Sequence, residues 1–169
     1  MKLNRKDSYD SKEDTMKHIE KVGLFMQQII KSLIFRSEYH DDSKLGPEEK
    51  PTFDEMTPKL RGTTYGSKEY RKFTSQMKVA MKHHYEHNRH HPEHFENGID
   101  DMTLVDIIEM LCDWKAATLR HEDGDIIKSM EINSNRFNIS PQLKRIIENT
   151  IKDFHWSKDF HFNHREVSK

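Results

Sequence analysis

Thiols are nearly missing from this chain: Cys112 is the only cysteine in 169 residues. That excludes an intramolecular disulfide and any zinc site built on several thiolates. An excess of one charge is missing too, with 28 lysines and arginines against 29 aspartates and glutamates. A general nucleic-acid binder carries a basic excess, so that class is not expected. No window approaches the ~18 apolar residues that a membrane helix requires, and the polar start has no apolar signal-peptide core. A cytoplasmic protein without a membrane partner is the expectation. Period-two alternation, internal repeats and low-complexity linkers are also lacking. Only 33% of residues are hydrophobic while 34% are charged, which calls for a compact core beneath a heavily solvated surface.

What is present is helical spacing. Met16, Ile19, Val22, Leu24, Phe25, Ile29, Ile30, Leu33 and Ile34 recur with the period of a helix that begins near Asp14. A short helical turn is expected over 38–44. Residues 45–66 carry Gly46, Pro47, Pro51, Pro58, Gly62 and Gly66, punctuation that reads as a loop of the lid or binding kind. The next helix is expected from Ser67 to about Asn88, and Pro92 with Asn97-Gly98 breaks the chain after it. Thr103 closes a capping segment before an apolar helix from Leu104 to about Arg120. Further helices follow over 126–136 and from Ser140-Pro141, where a cap precedes proline at the first helical position. The fold class expected is all-α: a single compact helical domain of five to seven helices over 13–155, with a flexible 1–12 and a tail at 156–169.

Histidine is over-supplied in one place. Six of the twelve histidines fall between His83 and His94. A buried imidazole must find hydrogen-bond partners, so neither a plain surface nor a plain core asks for this density; metal coordination does. His18 lies upstream on the first helix, and His40-Asp41 follows it. Asp113 sits within the apolar run Leu104 to Ala117, and a carboxylate buried there must be paired, neutralised or metal-bound. A salt bridge to another helix satisfies Asp113 equally well at this level. Lys44, three residues beyond Asp41, is in position for a phosphate oxygen. Asp106 and Glu109, on the side of Asp113, are candidates to hold ligating histidines. His87 and His94 are read as solvated surface; His121, His155, His161 and His164 receive no role.

His18 with Val22 four residues on, His40-Asp41 with Lys44, and Asp113 in Met110–Ala117 together resemble the HD superfamily of metal-dependent phosphohydrolases. Histidines between the pair and the last aspartate, here His83-His84, resemble its binuclear branch. Arg89-His90-His91-Pro92 stands where the glycine-tyrosine-proline signature of the cyclic-dinucleotide enzymes would fall. The whole chain is also similar to a family of short uncharacterised phage and bacterial proteins, through segments such as His40–Lys44, Gly62–Ser67 and Asp113–Ala116.

The HD resemblance implies one or two divalent transition ions, of manganese, iron, cobalt, nickel or zinc, held by His18, His40, Asp41, His84, His91 and Asp113. Lys44, His83 and His90 are then the candidates for charge neutralisation and proton transfer. Lys59, Arg61, Thr63, Thr64, Tyr65 and Asn88 are candidates for substrate contact, with Tyr65 able to stack on a base. The substrate class implied is a nucleotide, cyclic nucleotide or related phosphoester. Two other readings fit the same residues: a di-iron oxygenase, and a non-catalytic binding module stabilised by metal. Self-association is left open by the sequence.

Overall fold

The computed structural model describes residues 9–63, 67–120 and 124–157. Among these the chain is all-α, with seven α-helices, three 3-10 turns and no strand. Its contacts divide it into two units, residues 1–38 and 39–169. The first unit contains one long helix, α1 (Lys12–Tyr39, its last residue belonging to the second unit), with Glu13 and Asp14 in its first turn and Arg36 in its last, the charge order that suits the helix dipole. None of its residues is buried.

The second unit begins where Asp41 takes a left-handed backbone conformation (φ 62°) and a 3-10 turn follows over Asp42–Leu45. Next comes α2 (Lys50–Arg61). The loop expected over 45–66 is therefore largely helix, and the prolines explain why. Pro51 falls in the first turn, where its missing N–H costs nothing, and the helix continues through Pro58. The single helix expected from Ser67 to Asn88 is instead two, α3 (Lys68–Gln76) and α4 (Lys78–His87). Thr74 Oγ1 donates to the carbonyls of Tyr70 and Arg71, and Ser75 Oγ to that of Lys72. Such back-bonding competes with the helical ladder and ends α3 at its last turn.

The later helices start where their caps predict. In α5 (Leu104–Thr118) Thr103 and Asp106 form a reciprocal capping box. Asp125 caps α6 (Ile126–Arg136), and Ser140 with Pro141 opens α7 (Pro141–Asp153). These three helices enclose the apolar core: Met110, Leu111 and Trp114 of α5 meet Ile126 and Met130 of α6, then Ile139, Ile147 and Ile151. Each fully buried side chain of this size contributes roughly 1.5–3 kcal/mol. Met56, Met77 and Ala80 are buried on α2 and around the start of α4. No helix among the described residues is long and apolar enough to cross a membrane.

Candidate metal centre

The polar centre of the second unit is built by four local devices. The left-handed turn at Asp41, tolerable for a short polar side chain, carries His40 and Asp41 out of α1, and Lys44 N–H closes it on the Asp41 carbonyl at 2.8 Å. On α4, His84 is 1% exposed. The helix ends at Asn88, whose Nδ2 donates to the His84 carbonyl at 2.8 Å and to Ser43 Oγ at 2.7 Å. Pro92 then holds His91 in extended backbone (φ −97°, ψ 125°), so His90 and His91 leave the helical path. Finally, α5 presents Asp106, Glu109 and Asp113 along one edge, three and four residues apart.

Two sets of ligand atoms result, and they share one carboxylate. Asp41, His84, His90 and His91 form the first, and His40, Asp41 and Asp113 the second. In the first, Asp41 Oδ1 lies 3.2 Å from His84 Nε2 and 3.5 Å from His90 Nε2, while His84 Nε2 lies 2.9 Å from His91 Nε2. Ligands bound about 2.1 Å from one ion stand ~3.0–3.4 Å from each other. In the second, His40 Nε2 lies 3.6 Å from Asp41 Oδ2 and 3.7 Å from Asp113 Oδ1. Asp41 Oδ1 and His90 Nε2 are also buried without a hydrogen-bond partner among the described residues. Polar atoms are rarely left so, and a cation would satisfy both at once. The residues present fit a transition-metal ion.

The remaining carboxylates orient the rings. Glu109 Oε1 accepts from His40 Nδ1 at 3.0 Å and lies 3.3 Å from His90 Nδ1. A ring nitrogen that donates its hydrogen to Glu109 cannot ligate, so His40, His90 and Glu109, although close enough to hold an ion, form an orienting set. Glu49, just before α2, is fully buried and does the same for His83 and His84, at 2.7 and 3.0 Å. The role expected for Asp106 differs. Its bonds run to Arg89 (3.2 and 3.1 Å) and to the backbone N–H and hydroxyl of Thr103 (2.8 and 2.7 Å), so its hold on His90 passes through the neighbouring Arg89.

Charge is out of balance around Asp41. Asp113 beside the ring and Glu109 on its Nδ1 push the His40 imidazolium up to about 10. Burial works against ionisation of Asp41, yet the neighbouring His84 ring and the charge of Lys44, 2.5 Å away, hold the carboxyl far below its usual range. Asp113 is lowered as well: burial raises it, but the bond to His40 with the charges of His90 and Lys44 together outweighs that cost. His91 goes the other way: burial first, then the charges of His90 and His84, lower it to about 3. This ring is neutral at physiological pH, whereas His40 has a proton to lose before it can ligate.

Of the residues picked from sequence, His40, Asp41, His84, His91 and Asp113 come together, and His90 joins them among the side chains that could hold an ion. Lys44 sits on the outer oxygen of Asp41 and over the ring of Phe53. His83 stands at the rim, its side chain 30% exposed, bonded to Glu49 and stacked on His87 at 4.0 Å. Asn88 braces Ser43 and His84. His18 is exposed on α1 in the first unit, whereas both ligand sets are complete within the second. The described bonds of Lys59 and Thr63 stay within α2 and its end, to Glu55 and to the Leu60 carbonyl, and Arg61 is exposed on the last turn. Thr64 and Tyr65 lie outside the described residues. His94 is half-buried and bonds the Tyr85 carbonyl at 2.9 Å rather than facing solvent. Sequence reasoning missed Glu49, which sits in the stretch taken for a loop, and Ser43, in the short turn expected before it.

Fold and site together define an all-α protein whose clustered histidines and carboxylates could hold a metal ion. The chain belongs to the Family of unknown function (DUF5662), whose model matches residues 7–153. The comparisons with curated proteins and with solved structures give no match.

Proposed function

We propose that this chain is a metal-dependent phosphohydrolase of the HD type, acting on a nucleotide, cyclic nucleotide or related phosphoester. The observation that carries the reading is the sharing of Asp41 between two ligand sets, with Lys44 on its outer oxygen. Asp41, His84, His90 and His91 would hold one ion, and His40, Asp41 and Asp113 a second. The mixture of imidazole and carboxylate donors suits manganese, iron, cobalt, nickel or zinc better than calcium. An ion bound there supplies Lewis acidity toward a phosphoryl oxygen and lowers the pKa of bound water.

The protein's own groups do the rest. Lys44, held against Asp41 and braced by Phe53, places a fixed positive charge beside the centre, where it neutralises a phosphoryl oxygen. His83 donates its Nδ1 hydrogen to Glu49, which turns its Nε2 outward at the rim as a proton-transfer group for the leaving oxygen. Glu109 keeps His40 and His90 from rotating, and the fully buried Asp106 anchors Arg89 so that the following histidine enters the centre.

The test is metal content of the untagged chain, wild type against Asp41→Ala, followed by a screen of phosphomonoesters, phosphodiesters and cyclic nucleotides with the metal found. We expect one to two ions per wild-type chain, loss of most of that metal in the variant, and phosphate release that depends on it. A wild type that binds none of these metals after reconstitution ends the reading. Stoichiometric metal with oxygen consumption and no phosphate release would replace it with the oxidative one.

A further inference from the structure

Glu49 is fully buried at this centre, and no ligand set includes it. A carboxylate at 0% exposure is costly to keep unless its partners are well placed. Both its oxygens are used: Oε1 on His83 Nδ1 at 2.7 Å and Oε2 on His84 Nδ1 at 3.0 Å. Its backbone is fixed as well. The carbonyl accepts from Thr52 and Phe53 N–H at the start of α2, and the N–H reaches the Gly46 carbonyl.

We infer that Glu49 is a positioning residue that selects the tautomer of His84 and thereby controls only one of the two metal positions, that of Asp41, His84, His90 and His91. The inference rests on the metal reading above and adds a division of labour to it. An imidazole has one hydrogen when neutral, so an Nδ1 that donates leaves Nε2 as the lone pair. His84 Nε2 is the atom that meets Asp41 and His91. Two other groups compete for His84 Nδ1, each at 3.0 Å: Ser43 Oγ, and the Asn88 amide nitrogen. The amide nitrogen is a donor and favours the opposite tautomer, in which Nε2 carries the hydrogen and cannot ligate. A charged acceptor makes a bond roughly twice as strong as a neutral one, so the carboxylate decides the contest. Asn88 then spends its hydrogens on Ser43 Oγ and the His84 carbonyl. The His40–Asp41–Asp113 set draws its orientation from Glu109 instead.

Cobalt(II) titration of the full-length, untagged chain tests this, with visible absorption reporting coordination and a chelator competition reporting affinity. Wild type should take up cobalt in two steps. Glu49→Gln and Glu49→Ala should weaken one step about 10- to 100-fold, the loss usual when a ligand's supporting bond is removed, and leave the other unchanged. Asp113→Ala should act on the step that Glu49 spares. Wild-type affinity at both steps in both Glu49 variants overturns the inference and leaves the metal centre standing. Joint loss of both steps with the far-ultraviolet helix signal also overturns it, in favour of a purely structural carboxylate. No cobalt uptake by wild type removes the metal reading itself.

Discussion

At the scale of single residues, the centre contains two histidines driven in opposite directions, and this fixes how the metal-free protein responds to pH. His40 is raised from 6.5 to about 10, so the native state holds its proton more tightly than the unfolded chain. Its stabilisation is complete below pH 6.5 and is lost as pH climbs through about 10. His91 is lowered from 6.5 to about 3, so below pH 6.5 the unfolded chain gains a proton that the native ring refuses. Stability therefore falls on that side too, and the lowered carboxyls of Asp41 and Asp113 add to the loss below their ordinary value of 3.8. Thermal denaturation of chelator-treated protein across pH 4 to 10 should show a maximum near 6.5. His40→Ala should flatten the alkaline limb and His91→Ala the acid limb. A profile whose limbs ignore both substitutions would mean that these rings do not face the charges described.

At the scale of elements, α5 does two jobs with neighbouring faces. Met110, Leu111 and Trp114 enter the core, while Asp106 anchors Arg89, Glu109 orients two rings and Asp113 faces His40. The capping box that starts the helix also fixes this register, because Asp106 is both its third helical residue and the anchor for Arg89. Thr103→Ala should cost about 1 kcal/mol, the usual worth of a cap, which for a chain of this size lowers the melting temperature by roughly 2–4 °C. Asp106→Ala should cost more, since it removes the cap's partner and both bonds to Arg89 together. Calorimetry of the two metal-free variants checks the order, and equal losses would show that the Arg89 contact contributes nothing.

The same element shows what was legible in the sequence. The caps at Thr103, Asp125 and Ser140-Pro141 are local chemistry, written within four residues, and the helices begin where they point. His40, Asp41, His84, His91 and Asp113 were legible because imidazoles crowded together and a carboxylate in an apolar helix both demand an explanation. Glu49 was not. It lies 34 and 35 positions from the two histidines it holds, in a stretch whose prolines suggested a loop, and its side chain makes no capping bond that would have marked a helix start. The only local hint was Pro51, in the first turn of α2. Such pairings are fixed by the tertiary fold, and no periodicity announces them.

At the scale of the whole molecule, core and centre are built from separate materials. The cluster from Met110 to Ile151 is apolar and joins α5, α6 and α7, with Lys115 Nζ donating to the Trp156 carbonyl as a further tie. The centre links the turn after α1, the end of α4 and the edge of α5 through hydrogen bonds among its own side chains. Because the apolar core lies apart from the centre, an ion held there is expected to add stability by mass action, about 2.7 kcal/mol at a hundredfold excess over Kd, rather than to build the fold. Treatment of metal-loaded protein with a chelator should lower its melting temperature by several degrees while the far-ultraviolet helix signal at 25 °C stays unchanged. A zinc-finger-like collapse of that signal would contradict this, and would assign the metal to folding rather than to chemistry. The carboxylate contacts argue for the first outcome: Glu109 and Glu49 hold three of the four clustered rings, so an ion would meet rings that side chains of the protein itself orient.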